Sequence, residues 1–273
     1  MEIVESMNTP PDIRYYYINL QHATDRKIEA EKQAAQFGIK LERIEAIAGK
    51  ELDITTLSAY DKQRRLAEFA VELSPNEHAC IMSHLKALQT FVDSGAEYGV
   101  IMEDDLQLHP QFDEGISWLI EHTSGWEALK LWTGDGKIYP LHTQQKDCPW
   151  KLVFPKKLPW VAVGNIYTRK GAIEVLKGFQ RYWLGYDAQW GWVTLVTGNI
   201  PCCGIYPSLV KSSDPMNEKS TIDAEVNSRV AAFAKQKKEQ TWKQYIYHRL
   251  CVWTMACAKL RMRQRMKSLL KFR

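Results

Sequence analysis

The sequence predicts an α/β fold, and two patterns support this prediction. In the N-terminal region, a tyrosine-rich strand at 14–20, a helix at 25–37 and an alternating strand at 39–47 follow one another. A strand–helix–strand unit implies parallel strands joined by a right-handed crossover. Further along, three apolar residues at 100–102 follow a glycine and have the character of a buried strand, which is typical of the interior of such a sheet.

The first crossover helix has recognisable ends. Thr24 is predicted as its N-cap, and Gly38 as the residue that follows its C-terminus. Asn19, His22 and Arg26 lie where the first strand passes into this helix. That position suits a phosphate or nucleotide, because helix N-termini favour anions. The alternative is that Arg26 is simply solvated on the helix surface.

A second helix is marked by a strong start. Ser74 is predicted as its N-cap, Pro75 as its first residue and Glu77 as the partner in a capping box, and the helix should end near Gly95. Glu77 and His84 are seven residues apart and therefore project from one face. Either side chain could serve a site. The alternatives are that Glu77 only completes the cap and that His84 is a hydrogen-bonded core histidine.

Three carboxylates, Glu103, Asp104 and Asp105, follow the buried strand directly. In open α/β sheets, ligands bind at the C-terminal ends of the strands. Adjacent negative charges repel one another unless a cation lies among them, and hard divalent cations prefer carboxylate oxygen. The cluster therefore predicts a metal site, and a solvated acidic turn is the alternative.

Beyond these acids the pattern continues to alternate. The predicted elements are a helix at 112–122, strands at 128–132 and 160–168, a helix at 171–179 and a strand at 200–210. Residues 53–71 show no clear period, and their basic cluster is either a solvated helical face or a segment near the site.

The stretch 184–192 is predicted as a loop rich in glycine and aromatic residues. Its carboxylate, Asp187, marks a candidate sugar site, since sugar C–H faces pack on rings; a loop that only fills the core is the alternative.

Composition indicates one large domain or two small ones. The 273 residues are 45% hydrophobic and include ten tryptophans, enough for a sizeable core. No run approaches the roughly 18–20 apolar residues of a membrane-spanning helix. The acidic N-terminus lacks the features of a signal peptide. The six cysteines form no CxxC pair, so we expect free thiols in a reducing cytoplasm.

Positive charge is concentrated at the C-terminus. Residues 229–273 hold 13 Lys/Arg and one acid, whereas the whole chain has a net charge of +4. We therefore divide the chain into a main domain, 1–222, and a helical basic extension, 223–273. Such a tail predicts a polyanionic partner, either nucleic acid or an anionic membrane face. Interleaved aromatic and aliphatic residues favour an interfacial helix; a helix packed on the body with a frayed end is the alternative.

Several of these stretches, in this order, resemble glycosyltransferase family 25, which includes bacterial lipooligosaccharide galactosyltransferases and relatives of the collagen galactosyltransferases. The matching stretches are YINL (17–20) with Arg26, SPNE (74–77), MSHLKAL (82–88) and VIMEDDL (100–106), with weaker matches at 164–171 and 206–210. The resemblance covers residues 14–222. It implies a GT-A fold with a mixed, mainly parallel sheet, a UDP-sugar donor and a Mn²⁺ or Mg²⁺ ion.

The resemblance also implies roles for individual residues. By the match, Asn19 and Arg26 would lie near the nucleotide, and Glu103, Asp104 and Asp105 would form the family's acidic motif. His84 is a further candidate for the donor site, and Lys211 could neutralise phosphate directly. Asp105 is the foremost metal ligand, with Asp104 beside it. Many GT-A enzymes add a late histidine ligand, but this chain has no histidine between His142 and His248. Asp214 is the nearest substitute.

Family membership would imply inversion at the anomeric carbon, which requires a base for the acceptor hydroxyl. Asp187 is the predicted base and Glu77 its rival. The expected function is transfer of galactose from UDP-galactose to a lipid-linked oligosaccharide of lipopolysaccharide or lipooligosaccharide. The enzyme would be cytoplasmic, peripheral on the inner face of the bacterial inner membrane through its C-terminal tail, and without a nucleic-acid partner. The alternatives are a metal-dependent phosphoesterase and a non-catalytic membrane or nucleic-acid adaptor on a degenerate transferase fold.

Overall fold

The computed structural model describes most of the chain. The described residues are 11–69, 71–134, 137–141, 148–155, 162–197, 199–213 and 242–272. Two sequence predictions lie outside them: the metal ligand Asp214 and the first part of the basic extension, 223–241.

Strands and helices alternate along the chain. The strands are β1 (Ile13–Asn19), β2 (Leu41–Glu45), β3 (Tyr98–Glu103), β4 (Leu106–Leu108), β5 (Thr123–Ser124), β6 (Ala128–Lys130), β7 (Ile138–Pro140), β8 (Lys151–Pro155), β9 (Gly164–Thr168), β10 (Cys202–Tyr206), β11 (Val210–Ser212) and β12 (Lys271–Phe272). The α-helices are α1 (Thr24–Gln36), α2 (Lys62–Phe69), α3 (Pro75–Ser94), α4 (Phe112–His122), α5 (Arg169–Gly178), α6 (Tyr186–Gly191) and α7 (Trp242–Leu269). The described residues also include short 3₁₀ turns at Gly49–Glu51 and Ile54–Thr56 and a π-helix at Trp192–Val196.

Eight of these strands form one mixed sheet in the order β2-β1-β3-β9-β6-β10-β8-β7. Parallel pairs join β1 to β2, β1 to β3 and β6 to β10, and antiparallel pairs join the other neighbours. The predicted strand–helix–strand start is therefore confirmed as β1-α1-β2. The mixed α/β sheet with flanking helices also confirms the expected GT-A-like architecture.

Strand β3 lies inside the sheet, between β1 and β9. Its apolar residues Val100, Ile101 and Met102 are at most 1% exposed, as expected for a strand covered on both faces. Gly99 is needed there because a Cβ atom would lie 2.5 Å from the ring of Phe91 on α3. This close packing fixes the strand, so the carboxylates that follow it are presented at the edge of the sheet.

The predicted helix ends are partly confirmed. Helix α3 has the complete capping box, with Ser74 as N-cap and Glu77 as its partner, and it ends at Gly95 in the left-handed conformation. Gly38 also has a positive φ after α1. Thr24, however, is the first helical residue of α1 rather than its cap. The N-cap position is held by the preceding alanine, without a side-chain hydrogen bond.

The predicted loop at 184–192 is wrong, because most of it is helical. Residues Tyr186–Gly191 form α6, which continues as the π-helix Trp192–Val196. Tyr186 and Trp190 are four residues apart and are 4% and 1% exposed. Their spacing lets both rings enter the core from one helix face, and this burial outweighs the local preference of the flanking glycines.

The C-terminal helix is attached to the main sheet domain at its far end. Ala258, Met262 and Met266 of α7 are buried, and β12 pairs with β5. The backbone of Leu269 lies so close to Gly125 that a Cβ atom there would be 2.2 Å from its carbonyl oxygen. The described end of the chain is thus packed on the body rather than frayed. Among the described helices, none has the length and apolarity to cross a bilayer.

Candidate active site

The acidic cluster meets the end of β1 at one edge of the sheet. Parallel pairing brings Ile18 opposite Glu103, so the residues after both strands are neighbours. Asn19 Nδ2 donates a hydrogen bond to Asp104 Oδ2 at 2.7 Å, and Arg26 Nη1 donates one to Asp104 Oδ1 at 2.9 Å. The structure therefore brings together three residues that sequence analysis assigned to the donor, and each carboxylate oxygen of Asp104 accepts one hydrogen bond from them.

The orientation of Asn19 is fixed by a residue that sequence analysis missed. Arg43 on β2 donates from Nε to Asn19 Oδ1 at 2.9 Å, so the amide nitrogen is turned toward Asp104. Burial raises the pKa of Asp104, and the positive charge of Arg26 together with the Asn19 hydrogen bond partly offsets this effect. These two partners therefore favour the charged form of Asp104 against the effect of burial.

Asp105 has a different environment from its neighbour. Ser212 Oγ donates to Asp105 Oδ2 at 2.6 Å, because β11 pairs with β4 beside the cluster. Asp105 Oδ1 is buried and has no hydrogen-bond partner among the described residues. Burial, together with the negative charge of Glu103, raises the pKa of Asp105 to about 6. A buried carboxylate oxygen without a partner fits a divalent cation, so the donor set suits the predicted Mn²⁺ or Mg²⁺.

Glu103 joins the cluster to helix α3. His84 Nε2 lies 3.1 Å from Glu103 Oε1, and the His84 ring stacks on Tyr186 of α6 at 3.8 Å between centroids. Cys80, one turn earlier on α3, offers a sulfur within 4.8 Å of ligand atoms of His84 and Glu103. Such nitrogen and sulfur donors suit zinc better than magnesium. His84 is thus both a buried residue and a part of the site.

Asp187 lies in the first turn of α6, beside a buried lysine. Lys130 on β6 is 3% exposed on its side chain, and its Nζ is 3.7 Å from Asp187 Oδ1 and 4.7 Å from the centroid of the Trp190 ring. Burial raises the pKa of Asp187 to about 6, while Lys130 opposes the rise and Glu103 adds to it. Burial lowers the pKa of Lys130. The two shifts bring the pKa values of Asp187 and Lys130 closer together, a pattern that is frequent at functional sites.

Several buried polar atoms around this pair have no hydrogen-bond partner within the part of the chain that the structure describes. They are His84 Nδ1, Asn165 Oδ1 and Asp187 Oδ1. Asn165 is the direct cross-strand neighbour of Lys130. A buried polar group without a partner is costly, and a substrate hydroxyl could satisfy it. These atoms are therefore candidate contacts for a bound ligand.

The other two predicted site residues are placed differently. Glu77 Oε2 accepts hydrogen bonds from Ser74 N at 2.7 Å and Ser74 Oγ at 3.0 Å, as its capping role requires. Its Oε1 faces the loop before α6, 3.9 Å from where a Cβ on Gly185 would be. Lys211 is exposed on β11, next to the buried Ser212. Neighbouring strand residues point to opposite faces, so Lys211 is directed away from Asp105.

Sequence analysis missed several residues of the site, among them Lys130, Arg43 and Cys80. Only Lys130 left a usable signal: it is the single charge in the apolar run 128–132. A lysine inside a buried strand needs a counter-charge. The spacing of the chain does not reveal that this partner comes from a helix more than fifty residues later.

The sheet and its acidic edge define a GT-A-like α/β enzyme. Residues 12–158, more than half of the chain, match the sequence model of glycosyltransferase family 25, described as an LPS biosynthesis protein, and the chain belongs to this family. The protein is therefore a glycosyltransferase of a family tied to lipopolysaccharide biosynthesis. No curated protein matches the chain. The family match includes Asn19, the acidic cluster and Lys130, and it ends before Asp187.

Proposed function

We propose that the protein is an inverting, metal-dependent hexosyltransferase. It takes galactose from UDP-galactose and transfers it to the lipid-linked oligosaccharide of lipopolysaccharide or lipooligosaccharide. The observation that carries the proposal is the unpaired, buried Oδ1 of Asp105 at the end of β3. It lies beside a carboxylate that is already paired with Arg26. A metal-dependent phosphoesterase is the alternative. The second candidate metal group among the described residues, Cys80, His84 and Glu103, has nitrogen and sulfur donors that suit zinc rather than Mg²⁺.

The donor diphosphate would bind at the β1 and β3 edge. Arg26 is 41% exposed on its side chain, so it can contact a phosphate while it holds Asp104. Asp105, with Asp104, would hold the Mn²⁺ or Mg²⁺ ion. Such an ion supplies Lewis-acid stabilisation of the negative charge that develops on the UDP leaving group.

Asp187 is the proposed base. Its Oδ1 would accept the proton of the acceptor hydroxyl while the hydroxyl oxygen forms a bond to the anomeric carbon and the bond to UDP breaks. One displacement of this kind inverts the anomeric centre. Lys130 favours the ionised form of Asp187 through its charge. Glu77, the rival base, already accepts two hydrogen bonds in the cap.

The acceptor would reach the site from the inner face of the bacterial inner membrane, to which the enzyme is bound peripherally. An anionic membrane surface, and not nucleic acid, is the proposed partner of the basic C-terminal region. Two observations support this choice: the family tie to lipopolysaccharide biosynthesis and the excess of positive charge in that region.

Two measurements test the proposal. Calorimetry with UDP should detect binding that strengthens when Mn²⁺ is added, and hydrolysis of a panel of UDP-sugars should be fastest for UDP-galactose. Binding of UDP that is indifferent to the metal would contradict metal dependence. Faster hydrolysis of another UDP-hexose would replace galactose and leave the transferase proposal intact.

A further inference from the structure

The first two-thirds of helix α7 carry an exposed apolar stripe. Trp242, Ile246, Leu250, Trp253 and Leu260 are 79%, 49%, 53%, 68% and 62% exposed. At 3.6 residues per turn, these five positions fall within an arc of about 80° and extend about 27 Å along the helix. We call these five residues the apolar stripe. Two tryptophans exposed on one face are unusual for a surface that contacts only water.

The stripe points away from the body of the protein. The buried residues Ala258, Met262 and Met266 lie on the other side of the same helix, roughly 120–200° from the centre of the stripe. Pairing of β12 with β5 holds the C-terminal end of α7 in place. The stripe therefore lies on the outer surface of a helix whose C-terminal part is packed on the body. This packed part is the basic end that sequence analysis had assigned to a membrane interface.

The positive charge of α7 indicates which partner binds this surface. The helix contains seven Lys/Arg and no Asp or Glu. Arg249 and Arg261 are exposed and flank the stripe, each roughly 20° beyond one of its edges. A second copy of the helix would bring like charges together, which disfavours pairing. An anionic bilayer accepts the apolar residues and attracts the flanking arginines.

We propose that the apolar stripe is the surface through which the protein docks on an anionic lipid bilayer. Helix α7 packs on the π-helix Trp192–Val196, which continues directly from the helix that carries Asp187. Docking through the stripe would therefore couple the membrane surface to the acceptor side of the site. The inference rests on the proposed function for its purpose, but the docking itself is measured without any sugar.

The test is flotation of the full-length protein with vesicles of phosphatidylcholine, alone or with phosphatidylglycerol. The wild type should float with the phosphatidylglycerol vesicles. The double variant Trp242→Ser/Trp253→Ser should lose at least tenfold in apparent affinity. Ile28→Ser removes an apolar side chain of similar exposure, 63%, on helix α1 and should change binding less than twofold. Replacing Arg249 and Arg261 by glutamine should cost about fivefold for each charge.

Several results would overturn the docking proposal. One is that the wild-type protein floats with neither type of vesicle. Another is that the Trp242→Ser/Trp253→Ser variant floats as well as the wild type. A wild-type dimer that becomes monomeric in the Trp variant, with no vesicle binding, would assign the stripe to a second copy. Turnover on a soluble acceptor should be unchanged in the Trp variant, which excludes misfolding. Vesicle binding without any transferase activity in the wild type would reject the proposed function and leave the docking intact.

Discussion

Asp105 is the proposed metal ligand, because its Oδ1 is buried without a hydrogen-bond partner among the described residues. Asp105→Asn keeps the shape and the Ser212 contact but removes the charge. We expect transfer to fall by at least about 10²–10³-fold, the scale for loss of one group that stabilises developing charge. Initial rates with excess Mn²⁺ give the measurement. Asp113→Asn, on an exposed position of α4, is the control and should stay near wild type.

Asp187→Asn tests the proposed role of Asp187 as the base. It should lower kcat by about 10²–10⁴-fold, the usual contribution of a general base, while UDP binding stays unchanged. Glu77→Gln is the matched control, because glutamine also completes a capping box. If Glu77→Gln lost activity and Asp187→Asn kept it, the two roles would have to be exchanged.

Lys130 is expected to act on Asp187 rather than on the substrate. Asp187 must be unprotonated to accept a proton, so activity should rise with pH through about 6, the pKa of Asp187. Removing the positive charge in Lys130→Met should raise that pKa, so the acidic limb of the pH–kcat profile should move to higher pH. Besides Lys130, the charge of Glu103 adds to the rise in the pKa of Asp187 and His84 opposes it. The charge of Asp187 in turn raises the pKa values of Cys80, Tyr167 and Tyr186.

A merely structural lysine gives a different result. In that case Lys130→Met would lower activity equally at all pH values, or would lower the thermal midpoint without moving the limb. A deficit that narrows between pH 6 and pH 9 would support the positioning role.

At the scale of elements, α7 provides a test of whether the C-terminal helix is part of the fold. Met266 is fully buried, so Met266→Ala should lower the free energy of unfolding by about 2–5 kcal/mol. Leu260, on the same helix, is 62% exposed, and Leu260→Ala should change it by less than about 0.5 kcal/mol. Urea unfolding measures both. Equal effects of the two substitutions would mean that the helix does not dock as described.

Elements were predictable where local signals agree with the fold. The capping box at Ser74 and the buried strand before Glu103 were found because cap chemistry and apolar runs act over a few residues. Helix α6 was missed because Gly185 and Gly191 favour a loop locally. The burial of its aromatic rings depends on α3 and β9, which no nearby residue reveals.

At the scale of the whole molecule, metal binding should appear as stability. A ligand at 100 times its Kd stabilises the folded state by about 2.7 kcal/mol, which raises Tm by roughly 5–10 °C for a chain of this size. We expect Mn²⁺ added after EDTA treatment to raise the Tm of the wild type but not of Asp105→Asn. A rise that persists in Asp105→Asn and vanishes in His84→Ala would assign the ion to the Cys80, His84 and Glu103 group.

The site as a whole could be predicted only in part. Asn19, Arg26 and the acidic cluster follow strand ends, so the rule for the edge of a parallel sheet brings them together. Lys130 and Asp187 come from a strand and a helix that meet through tertiary packing, and their relation was invisible in the sequence. Thus the part of the candidate site at the ends of β1 and β3 could be predicted from the sequence, whereas the pairing of Lys130 with Asp187 could not.

The Lys130–Asp187 contact has a consequence for how such enzymes diverge. Lys130 lies inside the segment shared with the family and Asp187 lies beyond it. A chimera joined near residue 158 would inherit the two side chains from different parents. Because a buried charge is tolerated only with its counter-charge, we expect the two positions to be co-inherited. Grafting a different C-terminal segment onto this chain should then give a folded protein only when that segment carries an acid at the position of Asp187.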